Sequence, residues 1–365
     1  MKADSSKYVA PYSCYLNLTS KCNLRCRHCF GSYSAEHENE LSLSEWKSVI
    51  DDLIMSNVFY VNISGGEATQ SPFFREFIEY LEESGMHYIL TTNGVFPRGI
   101  RDFIASGKYL IGVKISLDGP DAESHCYIRL DSAGRYNESV FRITIDNIKF
   151  FSEMGIPLTI STVLHKKNIE KMEEFRKLIK QLNPVSWFIS PIIPTGRGDD
   201  NRFIREFYDY FDNSFWDRIC SDARESRINV RMIDMPVGIQ GKSLSAYMCP
   251  AAINFCEIHS DGTVSPCTLS RVCIPEKFMK FENIREKSIQ EIWDGKVFSR
   301  FRSYMDKGCD GCRMLPECGK CIPQSFRYFG NGTSPTPFCV SNGKKLGLKN
   351  LGSYIKKLED EFGKR

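Results

Sequence analysis

Three cysteines near the N-terminus, in the run Cys22-Asn23-Leu24-Arg25-Cys26-Arg27-His28-Cys29, have the spacing Cys-x3-Cys-x2-Cys. Three thiolates on one loop hold three irons of a four-iron cube and leave the fourth iron without a protein ligand. An open iron can be chelated by a small molecule, and the cluster's electron can then enter that ligand. A structural zinc site wants four ligands. No fourth is adjacent, although His28 lies inside the loop, so spacing alone leaves zinc open beside iron–sulfur.

A second group occupies the C-terminal third: Cys249, Cys256 and Cys267, then Cys309-x2-Cys312-x5-Cys318-x2-Cys321, and Cys339. Cys-x2-Cys pairs occur in zinc ribbons and in iron–sulfur sites alike. Beside a loop of the first kind the balance moves to iron–sulfur. Asp261-Gly262 reads as a hairpin turn, which predicts Cys267 on the returning strand. The chain has fifteen cysteines, an odd number, and no apolar signal run in its first twenty residues, which argues against a disulfide framework. Cys14, Cys126, Cys220 and Cys273 read as buried filler. Cys273 rivals Cys256 as a ligand, and Cys126 falls just before Arg129.

Stepping outward, 365 residues suggest one large domain and a smaller one. A hydrophobic fraction of 42% with 25% charged residues is that of a globular protein. A net charge of +3 is too small to argue for nucleic acid or a membrane surface. No apolar run is long enough to span a bilayer, and a cytoplasmic location is expected.

The cysteines need positioning elements, and the region between the groups alternates strand and helix. Apolar runs predict strands over Tyr12–Leu18, Val58–Ser64, Tyr88–Thr92, Leu110–Leu117, Pro157–Val163 and Val185–Pro191, several of them continuous enough to be buried on both faces. Helical spacing predicts helices over Leu43–Met55, Pro72–Glu83 with Pro in the first turn, Asn137–Met154 and Asn168–Leu182. Strict alternation implies parallel strands with right-handed crossovers. Six units make an α/β fold of the partial (β/α)6 TIM-like barrel kind, whose chemistry gathers at the C-terminal strand ends. The polar motifs obey that rule: Thr19–Cys29, Ser64–Glu67, Thr91–Gly94, Ser116–Gly119 and Pro194–Gly198 each follow a strand. A tail from Leu346 to Phe362 reads as an amphipathic helix docked on the barrel.

Cys22–Cys29 followed by Phe30 resembles the signature loop of the radical S-adenosylmethionine (SAM) superfamily, and the supporting motifs come in the family's order. The resemblance implies that Gly65, Gly66 and Glu67 receive the methionine amino group of SAM. It implies that Ser116, Asp118 and Arg129 contact its carboxylate and ribose, and that the His28 backbone touches adenine. A departure is Ala68 after Glu67, where the family usually has Pro. The C-terminal block resembles the SPASM extension, which carries two auxiliary clusters and would bring the total to three 4Fe–4S clusters. By motif position Cys249, Cys256, Cys267 and Cys321 would bind one, and Cys309, Cys312, Cys318 and Cys339 the other. Only Gly319 and Lys320 separate Cys318 from Cys321, where three residues are usual. If neither Cys256 nor Cys273 binds, the first auxiliary cluster keeps an open iron.

The organisation implied is a barrel over 1–235, a small cysteine-rich SPASM domain over 236–342 and a tail helix over 343–365. The activity implied is reductive cleavage of SAM to a 5′-deoxyadenosyl radical and hydrogen abstraction from an unactivated carbon. The leading substrate class is a ribosomally made peptide or protein side chain, oxidised or crosslinked. The partners implied are a flavodoxin- or ferredoxin-type reductant, a peptide or small-molecule substrate and a separate leader-peptide-binding protein. Sulfatase maturases of this group have an acid after the cysteine matching Cys267, where this chain has Thr268, so that activity is disfavoured. Two alternatives stand: tetrapyrrole side-chain processing, with Arg197 pairing a carboxylate, and a non-catalytic electron carrier or zinc-stabilised binding module.

Overall fold

A computed structural model describes residues 9–34, 39–199, 229–232, 249–305, 307, 309, 312, 321–336, 339–340, 344 and 347–362. The expected domain boundaries at 235–236 and 342–343 lie outside the described residues, as do Cys220 and Cys318.

Six parallel strands fall where the apolar runs place them: β1 (Ser13–Asn17), β2 (Tyr60–Ser64), β3 (His87–Thr92), β4 (Leu110–Ser116), β5 (Leu158–Val163) and β6 (Ser186–Ser190). A seventh, β7 (Asn229–Met232), extends the sheet parallel to β6. On the other side β8 (Phe255–Ile258) runs parallel to β1, and β9 (Thr263–Ser265) and β10 (Glu282–Asn283) follow antiparallel. The order is β10-β9-β8-β1-β2-β3-β4-β5-β6-β7, an open curved sheet whose ends do not pair. The cysteine-rich region is therefore grafted onto the barrel sheet through β1–β8.

Side chains alternate across each strand. Cys14, Leu16, Val61, Ile63, Val113, Ile115, Ile160 and Trp187 join the helices in one buried core. The opposite face carries Asn17, Asn62, Lys114, Ser116, Ser161 and Ser190; on β1 and β2 it is buried as expected, at Ser13, Asn17 and Asn62, but by polar side chains. A polar concave face is what a barrel needs to hold a polar cofactor.

The helices cover the outside. α1 (Leu43–Met55) starts with a capping box in which Ser42 and Glu45 bond each other's backbone, and it buries Trp46, Val49, Ile50 and Leu53. α2 (Phe74–Ser84) is capped by Phe73, which leaves Pro72 ahead of the helix rather than in its first turn. Two short helices escaped the pattern, α3 (Arg98–Ala105) and α4 (Ala122–Ile128). α5 (Glu138–Glu153) is capped by Asn137. The helix expected over Asn168–Leu182 is broken at Lys171 into α6 (Lys166–Glu170) and α7 (Met172–Leu182), and Asn168 Oδ1 accepts from the His165 N–H at the start of the first.

In the C-terminal region, Gly262 at φ +82° makes the β8–β9 turn. Cys267 is not on the returning strand: β9 ends at Ser265 and Cys267 caps α8 (Thr268–Cys273). α9 (Ile289–Asp294), α10 (Lys296–Arg302) and α11 (Ile322–Phe329) follow. The tail helix α12 (Leu351–Phe362) docks on this region rather than on the barrel. Its Leu351, Tyr354 and Leu358 pack against Tyr328, Phe329 and Val340, and Lys357 Nζ donates to the Phe329 carbonyl at 2.9 Å. Ile355, expected on the buried face, is 41% exposed.

Candidate functional site

The Cys22–Cys29 loop leaves the C-terminal end of β1 and is held by backbone pairing from three sides. Arg25 and Arg27 N–H groups donate to the carbonyls of Leu130 and Ile128, on either side of Arg129. Cys22 N–H donates to Ser34, and Arg197 N–H donates to Cys29. Leu24, Cys26, Cys126 and Val140 form a small buried cluster around the loop, with Cys22, Cys29 and Val95 against it. Cys126 is part of that packing, and its thiol donates to the Asn137 carbonyl at 3.3 Å.

The Gly65-Gly66 turn presses on the segment that leads into Cys22. Gly65 has φ +136°, and a Cβ there would sit 2.4 Å from the Thr19 carbonyl oxygen. At Gly66 it would sit 2.5 Å from the Lys21 oxygen and 2.7 Å from that of Ser20. These are backbone atoms and cannot swing aside, so both positions demand glycine. The glycines thus serve the protein's own close approach, which brings the turn beside the loop.

Glu67 is 1% exposed, and its carboxylate is fully engaged. Oε1 accepts from Thr69 Oγ1 at 2.9 Å and Oε2 from Asn93 N–H at 2.8 Å, with Thr92 Oγ1 2.9 Å from both. Burial raises the carboxyl's pKa, and the bonds from Asn93, Thr69 and Thr92 oppose that rise. Asn93 in turn donates to Asn23 Oδ1 at 2.8 Å and lies 4.0 Å from Cys22 Sγ. Glu67 therefore reaches the cluster loop through Asn93, a residue the sequence marked only as part of a rim motif.

Asp118 is 0% exposed and faces inward. Oδ2 pairs with Arg129 Nε at 2.5 Å, and Oδ1 accepts from Val163 N–H at 2.7 Å. Burial works against the charge, but the Arg129 guanidinium outweighs it and holds the carboxyl below its usual range. Three histidines surround the pair, His125 and His165 buried and His28 half-buried. Burial pushes His28 and His125 down to about 3 and His165 to about 4, so all three are neutral. His125 Nδ1 accepts from the Asp118 N–H, and His165 Nε2 lies 3.0 Å from its carbonyl. Each Asp118 oxygen thus carries a bond from the protein itself, and the side chain stands behind Arg129. Arg129 Nη1 points to Cys26 Sγ at 3.9 Å, and Nη2 has no partner among the described residues. Ser116 ends β4 on the same rim, and its hydroxyl has no hydrogen-bond partner among the described residues.

Arg197 spends two of its donors on the cysteine loop. Its Nε donates to the Cys26 carbonyl at 2.8 Å and its Nη1 to that of Tyr33 at 3.1 Å. It clamps the loop.

The donor set suits an iron–sulfur cube. The three loop thiols are free, and Asn93 and Arg129 aim N–H groups at two of their sulfurs. Among the described residues no three His, Cys, Asp or Glu side chains converge as a single ion requires, unlike a tetrahedral zinc site. Burial pushes Cys22 up to about 12 and Cys26 to about 11, so these thiols ionise on binding metal rather than before it.

In the C-terminal region Cys309 and Cys339 are buried together with Leu348, with Cys312 against them. Cys267 and Cys321 each cap a helix, α8 and α11, and these helices pack on one another. The Cys267 thiol is raised by burial and next by the neighbouring Cys249. Cys256 departs from its expected place. It lies opposite Cys14 in the β1–β8 register, 0% exposed, with the two sulfurs 3.4 Å apart in the apolar core. Strand alternation puts Glu257, not Cys256, on the concave face.

Comparison with known proteins agrees with this geometry. The family model of the radical SAM superfamily matches residues 16–179, and that of the SPASM iron–sulfur cluster-binding domain matches 249–322. The AdoMet-dependent heme synthase of Methanosarcina barkeri is 28% identical, over 92% of this chain and 98% of its own. The mycofactocin maturase MftC of Mycobacterium tuberculosis is also 28% identical, over 93% of this chain and 85% of its own. Streptococcus suis SuiB, solved with its precursor peptide SuiA, shares the fold at a TM-score of 0.70 and 17% identity, over 91% of this chain and 76% of that one. No helix among the described residues is long and apolar enough to cross a membrane.

Proposed function

We propose that this chain, an enzyme that belongs to the radical SAM superfamily and carries a SPASM iron–sulfur domain, abstracts hydrogen from an unactivated carbon of a peptide or protein side chain and so oxidises or crosslinks it. The cluster on Cys22, Cys26 and Cys29 supplies, when bound, the electron that splits SAM into methionine and a 5′-deoxyadenosyl radical. The observation that carries the reading is convergence: Asn93 just after β3, Arg129 at the end of α4 and Arg197 in the segment after β6 all reach the Cys22–Cys29 loop.

Each rim group then has a task. Arg129 Nη2 and the Ser116 hydroxyl receive the methionyl carboxylate, the guanidinium as a fixed planar donor. The Gly65-Gly66 turn offers backbone to the amino group, with Glu67 bracing it, and His28 offers backbone to adenine. Asp118 holds Arg129 in place. Cys249, Cys267 and Cys321 carry one auxiliary cluster, whose fourth iron is held by Cys273 or left open, because Cys256 faces the core. Cys309, Cys312 and Cys339, with Cys318, carry the other, for three 4Fe–4S clusters in all. A flavodoxin- or ferredoxin-type carrier supplies electrons, and the setting is cytoplasmic.

The relatives divide between a heme synthase and enzymes such as SuiB, solved with a precursor peptide. Arg197 supports the peptide reading: its Nε and Nη1 already bond the Cys26 and Tyr33 carbonyls, which leaves less of its fork for a tetrapyrrole propionate. The test is to incubate reduced holoenzyme and SAM with short peptides encoded beside its gene, and separately with a propionate-bearing haem precursor. Mass spectrometry is expected to show loss of hydrogen from a peptide. Decarboxylation of the tetrapyrrole with the peptides untouched would contradict the proposal.

A further inference from the structure

A buried polar chain joins the barrel's first strand to the cysteine-rich region. Asn17, at the end of β1, donates through Nδ2 to Glu257 Oε1 on β8 at 2.5 Å. The same nitrogen lies 3.2 Å from His259 Nδ1 and 3.4 Å from the Tyr33 hydroxyl, just beyond Cys29. His259 Nε2 meets the Ser265 hydroxyl at 2.9 Å, and that hydroxyl donates to the Cys267 carbonyl at 3.0 Å. The Glu257 carboxyl is bonded by the side chain of Thr268, the residue after Cys267. Two routes therefore start at Asn17, one ending at the Cys267 carbonyl and the other at the side chain of its neighbour Thr268.

Glu257 is 1% exposed, and its Oε2 has no partner. A buried carboxyl oxygen left unbonded is costly to keep. It needs a reason in what surrounds it. The nearest one is electrical: burial pushes the Glu257 carboxyl up to about 7, and above that pH its charge acts on the Cys267 thiol, ranking after burial, the neighbouring Cys249 and the Ser270 hydroxyl.

We propose that Asn17, Glu257 and His259 are positioning residues for the auxiliary cluster of Cys249 and Cys267, with Glu257 supplying the local charge that lowers its reduction potential. The proposal rests on the assignment of Cys249 and Cys267 to that cluster. Hydrogen-bonded groups behind metal ligands fix ligand orientation and tune the metal. A negative group beside a cluster opposes the arrival of an electron. Because Asn17 sits on the strand that runs into the Cys22–Cys29 loop, the same connector also sets the auxiliary site against the SAM site.

The test is an EPR-monitored redox titration of the reconstituted full-length holoenzyme with Glu257→Gln, which keeps the shape of the side chain and removes its charge. The auxiliary signal is expected to move to higher potential, with the SAM-loop cluster's midpoint and the total iron at wild-type values. Asn17→Ala leaves the charge and cuts the tie, and is expected to change the auxiliary line shape with iron retained. An auxiliary midpoint and line shape that stay wild-type in both variants overturn the proposal alone. A wild-type protein with no auxiliary signal overturns the cluster assignment, and the proposal with it.

Discussion

Replacing Cys22, Cys26 and Cys29 together by Ala is expected to abolish formation of 5′-deoxyadenosine from SAM while the C-terminal iron stays. The three thiols share one loop, pinned by Leu130, Ile128 and Ser34 through the backbone. Losing the sulfurs removes the ligands without removing those bonds, so the barrel should fold. The C-terminal cysteines lie on other elements, α8, α11 and the Cys309–Cys339 cluster, and should load independently. Three cubes would give wild-type protein about twelve irons, and the triple variant about eight. Iron and sulfide analysis with chromatography of the products checks both parts. Deoxyadenosine from the triple variant at the wild-type rate would refute the assignment of the loop, and zinc at the C-terminal sites would refute the auxiliary clusters.

Arg129→Ala is expected to weaken SAM binding at least tenfold and up to several hundredfold. The methionyl carboxylate leaves water only if opposite charge or strong hydrogen bonds replace it. Removing one member of a desolvated charge pair costs about 3–5 kcal/mol, part of which is recovered as water enters the gap, at about 1.4 kcal/mol per tenfold. The structure adds a second cost. Arg129 also neutralises Asp118, whose side chain is wholly buried, so the single variant strands a carboxylate and loses thermal stability too. Asp118→Asn with Arg129→Gln removes both charges and separates the effects: stability should recover in part, whereas SAM affinity should not. Anaerobic titration with SAM, followed by the cluster's absorption spectrum, reads the affinity. Wild-type affinity in both variants would contradict the pocket.

Much of this was legible because the barrel writes itself locally. β1 to β6 each show as a short apolar run, and each rim motif is the polar or glycine-rich stretch after it. What was not legible depends on contacts across the sheet. β7 is only Asn229–Met232, too short for a pattern. The parallel pairing of β8 with β1 joins residues 242 apart at Cys14 and Cys256, and no local spacing encodes it. Cys256 looked like a ligand for the same reason: the order of cysteines says nothing about which face of a strand they occupy.

The motif residues show a related limit. Glycine at 65 and 66 was readable as a need for close approach, but not that the approaching atoms are the chain's own Thr19–Lys21 carbonyls. The acids at 67 and 118 were readable as part of the site, but not their direction. Both turn inward and act through Asn93 and Arg129. Arg197 stood out in Pro194–Gly198 as a free cation, and only the fold shows it clamped to Cys26.

The central claim is that the Cys22–Cys29 loop cleaves SAM. Its most direct test is to reduce the anaerobically reconstituted wild-type protein, add SAM and quantify methionine and 5′-deoxyadenosine by mass spectrometry. Equal amounts of both products are predicted, accumulating with time. SAM left intact by protein carrying its full complement of iron would contradict the account.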